Sequence, residues 1–417
     1  MSKFKSKFLQ ECEARGLLNQ CTNFEELDKQ LCGDKPVVAY WGTDPTGQSL
    51  HIGHVYSLVI LRLFQKCGHK PIILLGGATG MIGDPSGKDH TRPMMSAETI
   101  QKNKSGIKKS IEKFIKFGDG KTDAILVDNY DWWKDVNYLD LLREIGPHVS
   151  VNRMLTFESV KQRLSKAEHM SFLEFNYMIL QAYDFYHLFK KYNCTLQLCG
   201  GDQWGNVVAG VELTRRLQFV KGEVEQGEKT EVIGFSTPLL TDKNGKKFGK
   251  SEGNAVWVNE ELLSPYEYFQ FFRNVDDADV EKLLKVYTDL SVEEISKIML
   301  GNINDAKKIL AFEATKLCHG EENAKKAMQQ AEDIFSGNSI DALPKLEYKI
   351  QNDEKTIFQL IKNLNLTTSG GEAKKLIRGG GVKINDEKVE DENLDISSLK
   401  EFKLSLGKKK HYLITIK

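Results

Sequence analysis

The stretch that decides the fold is VVAYWGTDPTGQSLHIGHVYSL, residues 37–58. Residues 37–41 predict a short buried strand, residues 42–49 a turn, and the residues from Leu50 onward the first turns of a helix. A strand that leads into a helix start presents unpaired backbone N–H groups and the positive end of the helix dipole. The stretch therefore predicts a site for phosphate at the start of this helix.

Two histidines mark that helix start. His51 and His54 are three residues apart and share one helix face, and Gly53 between them leaves room for a flat ring close to the backbone. Residues 44–46, Asp-Pro-Thr, predict a rigid turn with a hydroxyl donor. A His-x-x-His pair also occurs as half of a zinc site or as two ordinary helix histidines. The preceding strand and turn, together with Gly53, favour the anion site over both alternatives.

A second apolar run, KPIILL at residues 70–75, completes a β-α-β unit and predicts a parallel, doubly wound sheet of the Rossmann-like α/β class. The glycine-rich loop at residues 76–88 follows it. Its spacing fits neither the dinucleotide fingerprint nor a Walker A loop, so dehydrogenase and P-loop functions are set aside. Asp84 in this loop lies at the carboxyl end of a strand, where such sheets bind ligands.

Composition limits the class of protein. With 417 residues, 40% hydrophobic and 28% charged, the chain predicts two or three globular domains, and no apolar run is long enough for a membrane span. The N-terminus has no signal-peptide core, and the seven cysteines form no CxxC pair. We therefore expect a cytoplasmic protein with reduced thiols and no zinc. A net charge of zero argues against a polyelectrolyte binder but not against local basic clusters.

The middle of the chain predicts an insertion between two halves of the sheet, near residues 97–160. It combines lysine-rich helical sequence at 97–117, a strand at 124–127 and mixed helix through residue 155. The charges favour a solvated helix face over a site.

A second polar cluster follows in SFLEFNYMILQAYDFYHLF, residues 171–189. Tyr177, Gln181 and Asp184 lie beside an apolar stripe formed by Phe175, Ile179, Ala182, Tyr186 and Phe189. The alternative interpretation is an ordinary amphipathic boundary with its polar residues half in water. A strand at 195–198 then leads into the loop 200–206, so two half-sheets with polar loops meet at a switch point.

These residues carry a family resemblance that covers almost the whole chain. Residues 50–54, LHIGH, resemble the first signature of class I aminoacyl-tRNA synthetases, and residues 247–251, KFGKS, resemble the second. The positions that resemble the tyrosine pocket of bacterial-type tyrosyl-tRNA synthetases are Tyr40, Asp84, Tyr177, Gln181, Asp184 and Gln203. Trp41 and Thr43 depart from the family's small and aromatic residues beside the nucleotide ribose.

The resemblance implies activation of L-tyrosine by ATP and transfer of the tyrosyl group to the 3′ end of tRNA(Tyr), with Mg²⁺ on the phosphates and no dedicated metal site. Tyr40 and Asp184 would contact the phenol, and Asp84, Tyr177 and Gln181 the ammonium group. The implied catalytic group comprises Thr46, His51, His54, Lys247 and Lys250. The implied ATP contacts are Asp44, Gly53, Gly200, Asp202, Lys250 and Ser251.

The C-terminal third predicts two further domains after the catalytic domain at 1–238 and a signature loop and linker at 239–263. Capping boxes at 264–267 and 291–294 open amphipathic helices of an all-helical domain, 264–340. After a linker at 336–353, residues 369–385 resemble an S4-type RNA-binding module, giving a small α+β domain at 354–417. Its predicted phosphate-binding surface comprises Lys374, Lys375, Arg378, Lys408, Lys409 and Lys410.

The expected partners are tRNA(Tyr), L-tyrosine, ATP and a second copy of the chain, with no DNA and no membrane. A tryptophanyl-tRNA synthetase is the nearest rival, and Tyr40 with Asp184 and the S4-like tail favour tyrosine. A non-enzymatic RNA-binding protein would not need both signatures. A small-molecule adenylyltransferase would share the histidines but not the helical domain and the tail.

Overall fold

A computed structural model of the chain describes residues 2–84, 95–165, 170–223, 231–241, 248–251, 254–336, 343–350, 354–407 and 410–417. Its central feature is a six-stranded sheet formed by β1 Gln20–Cys21, β2 Val38–Thr43, β3 Lys70–Leu75, β4 Ile125–Asp128, β5 Cys194–Gly200 and β6 Ile233–Thr237. The strand order is β1-β6-β5-β2-β3-β4, and only the β1–β6 pair is antiparallel. The predicted parallel, doubly wound sheet is confirmed.

Helices cover both faces of this sheet. They are α1 Lys7–Ala14, α2 Phe24–Leu31, α3 Ile52–Lys66, α4 Thr79–Ile82, α5 Ala97–Glu112, α6 Tyr130–Trp133, α7 Tyr138–Glu144, α8 Val151–Met154, α9 Glu158–Ser165, α10 Phe172–Tyr192 and α11 Trp204–Val220. Alternation along the strands divides the core: Ala39 and Ile73 pack in one cluster with α1, α2, α3 and α5, whereas Tyr40 and Ile72 pack in another with α10.

The deciding stretch differs from its prediction at both ends. Strand β2 continues to Thr43 instead of ending at residue 41, because Gly42 and Thr43 pair with the last residues of β3. Helix α3 begins at Ile52, not at Leu50. The first helical N–H groups donate to the carbonyl of His51, the N-cap, whereas the carbonyl of Leu50 accepts the N–H of Val258 and its N–H donates to Ser110 Oγ, so Leu50 lies before the helix.

The region predicted as an insertion contributes to the sheet. Strand β4 lies inside it and pairs in parallel with β3, forming one edge of the sheet. The four pairs run from Ile72–Ile125 to Leu75–Asp128, and they bring Asp128 to the same end of the sheet as the loop after β3. Residues 97–128 are therefore part of the sheet domain and not an addition to it.

A small hairpin and a helical layer follow the sheet. Strands β7 Lys250–Ser251 and β8 Asn254–Ala255 pair antiparallel. The helices are α12 Pro265–Arg273, α13 Val280–Tyr287, α14 Val292–Met299, α15 Ile303–His319 and α16 Glu321–Ser336. Both predicted capping boxes are present, at Ser264 and Ser291. This layer shares one hydrophobic core with α3, and Tyr287 donates its hydroxyl to the carbonyl of Ile52 at 3.0 Å.

The C-terminal unit has its own core and a five-stranded sheet. Its elements are β9 Lys345–Tyr348, α17 Ile357–Asn363, α18 Gly370–Arg378, β10 Val382–Ile384, β11 Glu387–Val389, β12 Glu401–Leu406 and β13 Lys410–Ile416. The stretch 336–353, predicted as a linker, contains β9, which pairs in parallel with β13 at the sheet edge. Within the described part of the chain, no helix is long and apolar enough to cross a membrane.

Candidate active site

A cavity of about 260 Å³ opens where β2, β3 and β5 end. It brings together every residue predicted for the amino-acid pocket: Tyr40, Asp84, Tyr177, Gln181, Asp184 and Gln203. It also brings in Asp44, Thr46, His51, Gly53, His54, Gly200 and Asp202 from the predicted catalytic and nucleotide groups. These residues come from positions 40 to 203 and meet because the carboxyl ends of parallel strands share one edge of the sheet.

The histidines form the start of α3. His51 is the N-cap, and its Nδ1 accepts the N–H of Gly53 at 3.1 Å, while Nδ1 of His54 accepts the N–H of His51 at 3.3 Å. Both rings use Nδ1 as an acceptor, so a neutral ring carries its proton on Nε2 and is a donor there. The ring close to Gly53 is that of His51, since an added Cβ would lie 2.9 Å from its Cε1. Gly53 therefore accommodates the histidine ring, and the expected approach of a ligand ring to its backbone stays a prediction.

The described part of the second signature packs directly on this helix start. Gly249 has φ +76°, and a Cβ there would lie 2.0 Å from Cγ2 of Ile52. Phe248 lines the cavity, and its N–H donates to the carbonyl of Leu240. Lys247 lies outside the described residues, and for Lys250 and Ser251 only the backbone, in β7, is described. The two signatures are thus neighbours, and the positions of the lysine ammonium groups stay a prediction.

Asp184 lies at the closed end of the cavity and is 1% exposed. Its Oδ1 accepts the indole N–H of Trp132 at 2.9 Å and that of Trp133 at 2.7 Å, and its Oδ2 accepts Asn129 Nδ2 at 2.9 Å. Burial raises the pKa of the carboxyl to about 7, against the opposing effect of these three donors. Tyr177, Gln181 and Asp184 line the cavity together, as expected from their common stripe. The alternative of an amphipathic boundary half in water is wrong for Asp184, because the two indoles from α6 cover it.

Tyr40 faces the same end of the cavity. It is 1% exposed, packs against the Phe185 ring at 5.4 Å between centroids, and its hydroxyl has no hydrogen-bond partner. Burial, and secondarily the nearby Asp184 carboxyl, raise the pKa of the Tyr40 phenol well above its ordinary value, so it is a neutral O–H. A buried hydroxyl without a partner costs about 1–3 kcal/mol, which a hydrogen-bonding ligand group would offset.

The opposite side of the amino-acid end is a connected set of polar groups. Asp44 accepts the hydroxyl of Tyr177 at 3.0 Å and that of Thr79 at 2.8 Å. Gln203 donates to Asp84 at 2.6 Å, and Asn206 donates to Oε1 of both Gln181 and Gln203. Two carboxylates and several amide oxygens therefore converge, which is an arrangement suited to an ammonium group.

Trp41, one of the two positions that depart from the resemblance, lines the cavity together with Ser57 and Cys199 and is 6% exposed. Burial raises the pKa of the Cys199 thiol well above its ordinary value, so it stays protonated. The indole of Trp41 fills this part of the wall.

Five residues that hold the predicted site residues in position were not predicted from the sequence. They are Thr79, Asn129, Trp132, Trp133 and Asn206. For Asn129 and the tryptophans a signal was available: NYDWW, residues 129–133, directly follows strand β4. Polar groups at the carboxyl end of a parallel strand are expected to reach the ligand site.

The predicted RNA-binding surface on α18 is partly neutralised. Glu392 accepts hydrogen bonds from Lys374 at 3.2 Å and from Arg378 at 3.1 Å. Lys375 is exposed, and Lys410 donates to the carbonyl of Leu366. Lys408 and Lys409 lie outside the described residues. The basic side chains do lie at the surface, but two of them share one carboxylate.

The parallel sheet, the histidine pair at the helix start and the adjoining second signature together define a class I aminoacyl-tRNA synthetase. The family model for class I tRNA synthetases (W and Y) matches residues 33–336, and the S4 domain model matches residues 348–393. The chain is 49% identical to the tyrosine–tRNA ligase of Rickettsia bellii over 98% of this chain and 100% of that one. The enzyme of Rickettsia conorii gives the same values.

Solved structures agree with these relatives. The C-terminally truncated mitochondrial tyrosyl-tRNA synthetase of Aspergillus nidulans superposes with a TM-score of 0.70 and 30% identity, over 79% of this chain and 95% of that one. That of Coccidioides posadasii gives 0.68 and 32%, over 78% and 92%. The chain belongs to the tyrosyl-tRNA synthetases, the tyrosine–tRNA ligases of class I, which use ATP as a substrate.

Proposed function

We propose that this cavity makes tyrosyl-adenylate, with Tyr40 and Asp184 recognising the phenol of L-tyrosine and Asp84, Tyr177 and Gln181 binding its ammonium group. Gln203 supports Asp84 in this assignment through its 2.6 Å hydrogen bond. The nucleotide is assigned to Asp44, Gly53, Gly200, Asp202 and the backbone around Ser251, which adjoin the amino-acid end. Asp44 also accepts from Tyr177, so it belongs to both halves of the cavity.

The observation that carries this proposal is the unpartnered hydroxyl of Tyr40. A substrate phenol can accept from Tyr40 and donate to Asp184, so it satisfies both. Phenylalanine would fill the same volume but would leave the Tyr40 hydroxyl unpaired and would bring no donor to Asp184. Such a site rejects the analogue that lacks the hydroxyl, and tyrosyl-tRNA synthetases are themselves the known example of this discrimination. An indole could not both accept and donate at one atom, so the proposal also excludes tryptophan.

In the first step the tyrosine carboxylate attacks the α-phosphorus of ATP, an oxygen–phosphorus bond forms and pyrophosphate leaves. A carboxylate is already a nucleophile, so no general base is assigned. The catalytic task is positioning and stabilisation of the charge that develops on the phosphates. Thr46, the Nε2–H groups of His51 and His54, and the ammonium groups of Lys247 and Lys250 are the proposed donors. Each would contribute most if its contact is stronger in the transition state than in bound ATP.

Mg²⁺ is proposed to enter with ATP, bound by the phosphates. Among the described residues, no three His, Cys, Asp or Glu side chains gather as a metal-binding group, so no protein ligand is assigned to the ion. When bound, the ion would neutralise phosphate charge.

A homodimer and a tRNA surface complete the proposal. Exposed apolar side chains are concentrated between α7 and the start of α10, where Leu139 is 72% and Phe172 68% exposed, which supports a second copy of the chain as the partner there.

For tRNA(Tyr) we propose a binding surface formed by Lys374, Lys375, Arg378 and Lys408–Lys410. The boundaries 1–238, 264–340 and a C-terminal unit starting before β9 are proposed as domains. Seven free cysteines support a cytoplasmic location.

The experiment that tests the proposed substrate is ATP–pyrophosphate exchange with the purified chain in the presence of tyrosine, phenylalanine or tryptophan. Exchange supported by tyrosine alone is expected. Equal exchange with tryptophan would contradict the assignment of Tyr40 and Asp184 to a phenol.

A further inference from the structure

Helix α5 follows the loop that carries the first signature along one face. Three of its residues contact this loop in order: Asn103 Nδ2 donates to the carbonyl of Pro45 at 2.8 Å, Gly106 packs on Gln48, and Ser110 Oγ accepts the N–H of Leu50 at 3.1 Å. The spacings of three and four residues place all of them on the same helix face. The lysine-rich helix, whose charges were expected to form a solvated face, therefore also has a buried face.

The contact at Gly106 is backbone against backbone. A Cβ on Gly106 would lie 1.9 Å from the carbonyl oxygen of Gln48, a distance that no side chain can occupy. Glycine therefore allows the helix to approach the loop more closely than any other residue would.

At Ser110 the helix also reaches the segment that follows the second signature. Ser49, Ser110 and Asn259 are 3%, 0% and 4% exposed, and they form one hydrogen-bonded cluster. Ser110 Oγ donates to Asn259 Oδ1 at 2.9 Å, Asn259 Nδ2 donates to the carbonyl of Gly106 at 2.9 Å, and the Asn259 N–H donates to Ser49 Oγ at 3.1 Å. None of the three lines the cavity.

This cluster stands beside a short backbone ladder centred on His51. The Val258 N–H donates to the carbonyl of Leu50, the Ile52 N–H donates to the carbonyl of Val256, both at 2.9 Å, and His51 forms a bridge with Trp257. The register of this ladder determines where the imidazole of His51 lies relative to the residues that end the second signature. Lys113, the C-cap residue of α5, donates to the carbonyl of Val258 at 2.9 Å and fixes the far side of the same segment.

We propose that Asn103, Gly106 and Ser110 of α5 form a positioning surface for the first signature, and that Ser110 with Asn259 sets the register between His51 and the segment after the second signature. The physical reason is specificity: an apolar cluster of the same volume could slide, whereas a buried polar cluster with every group paired has one arrangement. These are positioning residues, since none contacts the cavity. The inference rests on the role proposed above for His51.

The test is a double-mutant cycle between Ser110→Ala and His51→Ala, read by the pre-steady-state rate of tyrosyl-adenylate formation and by the dissociation constants of ATP and tyrosine. A displacement of the order of 1 Å costs about a hundredfold in rate, so Ser110→Ala is expected to slow the reaction roughly ten- to a hundredfold. Both dissociation constants should stay within about twofold. In the His51→Ala background the further loss should be within about threefold, because Ser110 acts through His51.

The matched control is Ser236→Ala. Ser236 is also 0% exposed and has three hydrogen-bond contacts, to Asn19 and to the backbone N–H and carbonyl of Gln20, against four for Ser110, but it does not line the cavity. It should lose stability and retain the rate. If Ser110→Ala does not fold, Ser110→Cys, which keeps the volume and weakens the hydrogen bonds, replaces it in the cycle.

The outcomes distinguish the positioning role of Ser110 from the catalytic role proposed for His51. A Ser110 variant with the wild-type rate, an equal loss with and without His51, or an equal loss in Ser236→Ala would each overturn the inference. A His51→Ala variant with the wild-type rate would remove the proposed role of His51 as well.

Discussion

At the scale of single residues, the proposed chemistry of this site depends on two side chains, Tyr40 and Asp184, whose environments differ although both are proposed to contact the substrate phenol. Tyr40 is buried without a partner, whereas Asp184 is buried with three donors. The Tyr40 hydroxyl would therefore gain its partner only from the substrate, whereas the Asp184 carboxylate is held in place before substrate binds. The identity of both residues could be predicted from the sequence. Their burial could not, because the covering indoles come from a turn some fifty residues away with no local pattern linking it to α10.

Replacing Asp184 tests this arrangement. Asp184→Ala should abolish tyrosine activation and also lower the free energy of unfolding, since it leaves the two indole N–H groups and one N–H of the Asn129 amide unpaired, at about 1–3 kcal/mol each. Asp184→Asn keeps the volume and should lose activity with a smaller loss of stability. Exchange assays and denaturant unfolding measure both effects. Wild-type stability of the alanine variant would mean that the three donors find other partners.

The raised pKa of Asp184 predicts a pH dependence. Its folded-state pKa of about 7 exceeds the ordinary value of 3.8, so between these values the folded chain binds more protons than the unfolded one. The contribution of this carboxyl to stability is therefore full below about pH 4, falls as pH rises to about 7, and is constant above that. Binding shows the opposite trend, because the ionised carboxylate accepts the phenol proton more strongly, so kcat/KM for tyrosine should fall below pH 7.

The measurement is the difference in unfolding free energy between the wild type and Asp184→Asn across pH 4–8, together with the pH profile of kcat/KM. The asparagine variant should lack the stability slope that this carboxyl contributes. A difference between the two proteins that is constant over this range would contradict the shifted pKa.

At the scale of elements, the two signatures form one structure because a glycine lets them touch. The sequence predicted both signatures, but not that Gly249 lies against Ile52 with φ +76°. The distance of nearly two hundred residues between them carries no local signal, since a signature motif reports its own chemistry and not what its backbone packs against. Likewise, the lysines of α5 predicted a solvated face, but no local pattern indicated what the other face of this helix packs against.

Gly249→Ala is predicted to separate the signatures. The left-handed backbone costs about 1–2 kcal/mol with a side chain, and the new Cβ must displace Ile52 or the signature itself. Adenylate formation should fall by about a hundredfold, as for a displacement of the order of 1 Å. Gly222→Ala is the control, because it has φ +68° with nothing within 4 Å. Gly222→Ala should unfold at a lower temperature, because of its strained backbone, but should retain near-normal ATP–pyrophosphate exchange. If both variants lost the same activity, the loss in Gly249→Ala would be due to lower stability alone.

At the scale of the whole molecule, the helical layer shares its core with the sheet, whereas the C-terminal unit has a core of its own. The order of the three parts was predictable, because hydrophobic periodicity and capping boxes are local. The start of the C-terminal unit was not. Strand β9 has only four residues, with Leu346 half-buried and Tyr348 buried, and it is recognisable as a strand only through its pairing with β13.

Truncation tests this division. A chain that ends at residue 340 should retain tyrosine-dependent exchange and lose tRNA charging, since the cavity residues all precede the cut. A chain that ends at residue 353 should have the same activities but aggregate more readily, because β9 then exposes an unpaired edge. Charging assays and light scattering distinguish the two products. Normal charging by the shorter chain would remove the C-terminal unit from tRNA binding.

The central claim is that Tyr40 and Asp184 select tyrosine through its hydroxyl, and the ratio of kcat/KM for tyrosine to that for phenylalanine tests it most directly. Tyr40→Phe removes the unpartnered hydroxyl and keeps the ring that packs on Phe185. With one of the two buried polar groups gone, the ratio should fall by about tenfold or more, corresponding to at least about 1.4 kcal/mol. The variant should be at least as stable as the wild type, because the unpartnered hydroxyl is removed. An unchanged ratio would show that the phenol is recognised elsewhere, and the assignment of this end of the cavity would be wrong.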